Sequence, residues 1–305
     1  MPWLTPTVYK QGPAETLFDV PGFLDGAARA QLNHIVFGLT AEDCPFDNRI
    51  QDLTFATMQI AKRFVQSGVR CIGVPLFRDG VRFPDGFAVS APVCRTVLDL
   101  RSFRVPRKLP LLFDILESGV ERIGDPMIEP ENQFVILTNS DIHPLPHFYG
   151  AIARLIHLGY DTIIVNRRTI PTCTPDVANI PVMYAEFGSD HPGYDCFIFP
   201  LRNYRAFVRT DACIGAGWVM RSMLYNMVAT ATRMCMLTHA HMTFHIGDDR
   251  PWLNPELADY LDFNLLQAKA LFVRLSTHSA PRERLFPFCE AHDEPEIIKA
   301  LAGLR

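Results

Sequence analysis

No stretch of these 305 residues reaches the roughly 18 consecutive apolar residues that a membrane-spanning helix needs, so a membrane span is excluded as an expectation. Cationic excess is missing too. The net charge is −4, and lysine and arginine are scattered, which leaves no electrostatic footprint for a nucleic-acid backbone or an anionic lipid surface. The eight cysteines form no C-x-x-C pair in a chain too long to need disulfide stapling, so they read as reduced, mostly buried thiols. The first thirty residues carry Asp19, Asp25 and several prolines in place of the basic flank and apolar core of an export signal, and a cytoplasmic location is the default expectation. Internal repeats, linkers and low-complexity segments are also lacking, which argues for one domain. Its expected parts are an irregular arm over 1–31, a domain over 32–280 and a C-terminal tail over 281–305.

What is present is a hydrophobic content of 48%, enough to bury a full core, arranged in an alternation of strand-like and helix-like runs. "HIVFGLT" (34–40) reads as a strand, a polar loop follows, and Gln51 to Gln66 place Leu53, Ile60, Ala61 and Phe64 on one helical face. "VRCIGVPLF" is a second strand, and "SAPVCRTVLDL" is a candidate third. "LPLLFDILES" reads as a helix with Pro110 in its first turn and Gly119 past its end, and "PHFYGAIARLIHLG" repeats that punctuation. "DTIIVNRR", "YDCFIFPL" and "HAHMTFHIG" read as strands, and 216–236 and 256–274 as helices. This order predicts an α/β fold with a mainly parallel sheet flanked by helices, whose ligand site lies at the carboxyl ends of the strands.

"FVILTNSDI" stands out at such an end, because five residues suited to a buried strand run into Asn139, Ser140 and Asp141. A carboxylate there can hold a divalent metal, accept a hydroxyl hydrogen bond or cap the following turn.

That passage, with a basic turn and a helix upstream of it, resembles the strand-to-metal segment of glycosyltransferases with the GT-A fold. In that family a D-x-D motif ends a core strand of a single α/β domain that binds a nucleotide sugar. The resemblance, over roughly 34–250, makes Asp141 the final acid, which holds Mn²⁺ or Mg²⁺ against the donor diphosphate, while Asn139 replaces the first acid in an N-S-D variant. It implies that Ala41, Glu42 and Asp43 contact the donor, together with Arg107, Lys108, Asn139 and Ser140. In "EFGSDHPGYDCFIF" it implies a base that takes the proton from the acceptor hydroxyl, Asp195 first and Asp190 second; a capped Gly-Pro turn is the plainer alternative. His245 in "FHIGDD" matches the family's C-terminal metal or diphosphate histidine, with Asp248 and Asp249 closing the site. Arg167, Arg168, His191, Trp218 and Asp248 fall where the family shapes its acceptor pocket.

Read as one strand, "HAHMTFHIG" places His239, His241 and His245 on a single face, and three imidazoles are a set that binds Zn²⁺ with an open fourth position. That makes a zinc hydrolase or lyase the main rival. A nucleotidyltransferase lacks its Gly-rich phosphate loop here, and a catalytically inactive sugar-nucleotide binder fits the missing first acid.

Overall fold

The computed structural model describes residues 30–40, 48–65, 68–78, 81–123, 132–191, 193–248, 254–292 and 294–302. Most of the expected N-terminal arm, together with Ala41, Glu42, Asp43 and Asp249, lies outside the described residues. In chain order the elements are β1 (Gln31–Gly38), α1 (Asn48–Arg63), β2 (Val69–Pro75), β3 (Phe87–Val89), α2 (Leu112–Glu121), β4 (Gln133–Thr138) and β5 (His143–Pro144). Then come α3 (Phe148–His157), β6 (Thr162–Val165), β7 (Arg168–Ile170), α4 (Ile180–Ala185), β8 (Ser189–Asp190) and β9 (Cys196–Pro200). The chain continues through α5 (Arg221–Thr230), β10 (Met234–Leu237), β11 (Thr243–Ile246), α6 (Ala258–Leu275), α7 (Ser279–Ala291) and α8 (Pro295–Ala302). None of the described helices is long and apolar enough to cross a membrane, and the seven described cysteines are free.

The chain forms two compact units. The first takes the described residues within Met1–Val93, Ser118–Arg202 and Thr232–Asp249. It holds a seven-stranded sheet in the order β10-β6-β9-β4-β1-β2-β3, in which every pairing is parallel except those of β9 with β4 and β6. The fold class is therefore α/β with a mainly parallel sheet, as the alternating pattern predicts. Every residue of β4 is buried, which is why "FVIL" at its centre is a continuous apolar run instead of an alternating one. Each fully buried aliphatic or aromatic side chain there contributes roughly 1.5–3 kcal/mol relative to exposure.

A second sheet in this unit has the order β5-β11-β7-β8. The strand expected over "HAHMTFHIG" is confined to its last part, because the chain must turn at 238–242 to pass from β10 in one sheet to β11 in the other. Three other local expectations are corrected. Gly119 lies inside α2, not beyond it, because a Cβ there would sit 2.7 Å from the side chain of Ile35 on β1. "SAPVCRTVLDL" holds an isolated bridge at Val93 and a 3-10 turn at Val97–Asp99 capped by Thr96, not a strand. The helix expected over 216–236 stops at Thr230, where Ala231 turns extended and leads into β10.

The second unit takes the described residues within Cys94–Glu117, Asn203–Ala231 and Arg250–Arg305. Val97, Phe103, Leu111, Cys213, Leu257, Tyr260 and Phe263 form one of its buried clusters, with the Phe103 and Tyr260 rings stacked at 3.9 Å. The segment expected as a tail contributes helices α7 and α8, tied down by Glu294. That carboxylate is 4% exposed, accepts the Tyr225 hydroxyl at 2.6 Å and pairs with Arg221 Nε at 2.5 Å. Glu294→Ala is expected to cost about 2 kcal/mol of unfolding free energy, less than the full penalty of breaking a buried pair because Arg221 is partly exposed. Urea unfolding of the variant against wild type measures it.

Candidate functional site

Strand register brings the chemistry-bearing residues of the first unit to one sheet edge. Thr138 pairs with Cys196, Cys196 with Val165, and Val165 with Leu237, so β4, β6 and β10 end on the line where β9 begins. Asn139–Asp141, Asn166–Arg168 and His239 follow those ends, and Asp195 immediately precedes β9. The antiparallel direction of β9 is what lets an acid at the start of a strand join residues at the ends of others.

Asp141 and His245 meet here, with Oδ2 and Nε2 at 3.3 Å. The His245 Nδ1–H donates to the Gly247 carbonyl at 2.7 Å, a carbonyl presented by the left-handed conformation of Gly247 (φ 72). With Nδ1 committed to Gly247, Nε2 is the ring atom that faces the carboxylate oxygen, and a proton or a cation between the two stabilises the pair. The other oxygen, Asp141 Oδ1, is buried with no hydrogen-bond partner although the side chain as a whole is 41% exposed. Burial pushes the Asp141 carboxyl upward, but the His245 contact and charge, with Arg167 and His143, outweigh it and hold the group below the ordinary carboxylate range.

Asp195 is buried and has the opposite shift. Desolvation raises its pKa, Arg167 opposes the rise and the charge of Asp141 adds to it. Arg167, 4% exposed, reaches Asp195 Oδ2 at 3.5 Å and Asp248 Oδ1 at 3.8 Å. Asp195 Oδ2 and the Nε and second terminal nitrogen of Arg167 make no hydrogen bond, so the pair is a buried polar surface with unfilled capacity. His191 is buried and approaches the same Asp248 oxygen at 3.5 Å.

Alternation along the chain sends Arg168 elsewhere. Its Nε and one terminal nitrogen donate to the carbonyls of Phe187 (2.9 Å) and Gly188 (2.7 Å), and the other terminal nitrogen pairs with Asp190. Asp190 also accepts from His239 Nδ1 at 3.0 Å. Arg168 thus spends its donors holding the 187–190 loop, and Asp190 belongs to that surface cluster. Arg107, Lys108 and Trp218 belong to the second unit; the first two are exposed, and Trp218 is half-buried with φ 67.

The three histidines are not brought together as one strand face. His239 goes to Asp190, His241 offers its carbonyl to His147 Nε2 at 3.0 Å, and His245 alone faces Asp141. Among the described residues no group of three or more His, Cys, Asp or Glu is arranged to hold a metal, whereas a catalytic zinc site takes three protein ligands. Asp141 and His245, one carboxylate and one imidazole, are side chains able to share a divalent transition-metal ion.

Three residues near the N-S-D turn have no counterpart in the sequence reading: His34, Thr54 and His143. His34 is buried, with Nδ1 at 2.7 Å from the Tyr149 hydroxyl and Nε2 at 2.8 Å from Thr138 Oγ1. Burial lowers its pKa to about 3, so the ring is neutral. The available signal at Thr54 and His143 was a polar residue set between apolar neighbours, Leu53 and Phe55 in the one case and Ile142 and Pro144 in the other.

No family model and no curated protein matches this chain. Among solved structures it is similar to S. aureus TarS 1–349 in complex with UDP-GlcNAc, at 10% identity and a TM-score of 0.47, over 80% of this chain and 66% of that one, just under two thirds. It is also similar to Rv0371c of Mycobacterium tuberculosis H37Rv in complex with manganese, at 12% identity and a TM-score of 0.34, over 76% of this chain and 98% of that one.

Proposed function

We propose that the chain is a sugar-nucleotide-dependent glycosyltransferase that moves a glycosyl group from a nucleoside diphosphate to an acceptor hydroxyl. The observation that carries this reading is the facing pair Asp141 Oδ2 and His245 Nε2, at the carboxyl edge of the sheet beside the unfilled polar atoms of Asp195 and Arg167. A strand-end carboxylate that served only as a turn cap has no need of an imidazole nitrogen opposite it.

In an inverting reaction the ionised Asp195 takes the acceptor hydroxyl's proton. The acceptor oxygen then bonds to the anomeric carbon as the bond from that carbon to the diphosphate oxygen breaks, and the electron pair leaves with the nucleoside diphosphate. Desolvation raises the Asp195 pKa, which makes it a stronger base than an ordinary aspartate, and the Arg167 charge opposes that rise. Mn²⁺ or Mg²⁺ held by Asp141 and His245 would neutralise the charge that develops on the diphosphate. Asn139 and Ser140 at the end of β4 provide uncharged polar groups for the donor, and His191 and Asp248 extend the polar lining on the Arg167 side.

The test is thermal unfolding against UDP, GDP, CDP and dTDP and their sugar conjugates, each with and without Mn²⁺. A nucleotide at about 100 times its dissociation constant is expected to add roughly 2.7 kcal/mol, a visible rise in melting temperature. No rise with any nucleotide sinks the reading. Binding without transfer to any acceptor favours the inactive relative to which Asn139 points.

A further inference from the structure

Resting on the donor-site reading above, we infer that Thr54 and His143 are positioning residues that clamp the turn carrying Asp141. The turn has little hold of its own: its backbone bond, from the Ile142 N–H to the Asn139 carbonyl, is 3.4 Å long. The clamp comes from α1. Thr54, fully buried, places Oγ1 at 2.7 Å from the Ser140 carbonyl and 2.9 Å from His143 Nδ1, with the Ile50 carbonyl more distant at 3.3 Å.

One hydroxyl proton must serve these contacts, which fixes every role. A carbonyl oxygen only accepts, and 2.7 Å between two oxygens demands a proton between them, so the Thr54 hydroxyl donates to Ser140. The same oxygen therefore accepts from His143, whose proton sits on Nδ1 and whose Nε2, buried without a hydrogen-bond partner, carries the lone pair. His143 is itself immobile: it is fully buried on β5, paired with Phe244 of β11, with its ring 4.8 Å from the Phe244 ring. The relay from His143 through Thr54 to the Ser140 carbonyl thus fixes the peptide that leads into Asp141. On the other side of Ser140, Thr138 is held from beneath by His34. Asp141 is thus bracketed by Thr138, three residues before it and bonded to His34, and by His143, two residues after it and bonded to Thr54.

Thr54→Val keeps the volume and removes the relay, while Thr54→Ser keeps the hydroxyl. Thr57→Val is the control, because Thr57 lies on the same helix, is equally buried, and donates to the Thr54 carbonyl at 2.9 Å without reaching the turn. Hydrogen exchange of the peptide 138–144 is expected to quicken about tenfold in Thr54→Val and to stay near wild type in Thr54→Ser and Thr57→Val. Affinity for UDP with Mn²⁺ is expected to fall about 10- to 100-fold in Thr54→Val, the usual scale for losing a group that orients a metal ligand, and to hold in the other two. Wild-type exchange in Thr54→Val, or equal quickening in Thr57→Val, overturns the clamp. Should Thr54→Val fail to fold, His143→Leu tests the same relay, with quickened exchange expected and unchanged exchange overturning it. A wild type that binds no tested nucleotide overturns the donor-site reading separately, and the exchange rates then decide the clamp alone.

Discussion

Asp141→Ala is expected to lower glycosyl transfer by at least about 10²–10³-fold, the scale of removing one preorganised stabiliser of transition-state charge, with the fold intact. The expectation follows from where the acid stands. Its Oδ2 faces His245 Nε2, its Oδ1 is buried without a hydrogen-bond partner, and the His245 contact and charge hold its pKa low against burial. Removing the carboxylate leaves His245 with only its Gly247 bond among the contacts described above. Because Asp141 is 41% exposed, its loss is expected to move the melting temperature little, which separates a site effect from an unfolding effect. Turnover of the purified variant and its melting curve measure both. Unchanged turnover would return Asp141 to the role of a turn cap.

The protein is also expected to lose stability steeply on mild acidification, well before ordinary carboxylates titrate. Burial depresses the pKa of His34 to about 3, and His143 reaches about 3 by burial opposed in part by the Asp141 charge. Both rings are neutral in the folded state and take up a proton in the unfolded chain near pH 6.5, so the unfolded state binds more protons throughout the window between. Stability is therefore fully present above about pH 6.5 and declines as pH falls toward 3. The slope is about 1.4 kcal/mol per pH unit for each ring, or roughly 3 for the two together, against a typical total of only 5–15 kcal/mol. His147 and His241 are shifted downward as well and act in the same direction. Urea unfolding at pH 7.0, 6.0 and 5.0 measures the slope; equal stability at all three would mean that the two rings are hydrated or paired with a carboxylate in solution.

The alternating elements were legible in the sequence because helix and strand periodicity is local: β4, α3, β6 and α6 were expected close to where they occur. The polar triplet at the end of β4 was legible for the same reason, since an apolar run that stops on Asn-Ser-Asp needs no partner to be noticed. Errors occurred where a local signal met a distant surface. Gly119 reads as a helix stop, but its missing side chain makes room for Ile35. "HAHMTFHIG" reads as one strand, but its first residues are spent turning between two sheets.

What the sequence by itself determined is the α/β class, the mainly parallel sheet and the edge on which polar groups collect, because burial of apolar faces fixes these whatever the partners are. What only the tertiary structure decided is which groups meet at that edge. His245 faces Asp141 because β5, β11 and β7 are hydrogen-bonded neighbours, and Asp195 joins Arg167 because β9 runs antiparallel between β4 and β6. Thr54 reaches Ser140 because α1 presents a fully buried hydroxyl beside the turn. Each is a contact of a few ångströms set by strand register or helix placement, and register depends on hydrogen-bonding between segments far apart in the chain, which no local pattern encodes.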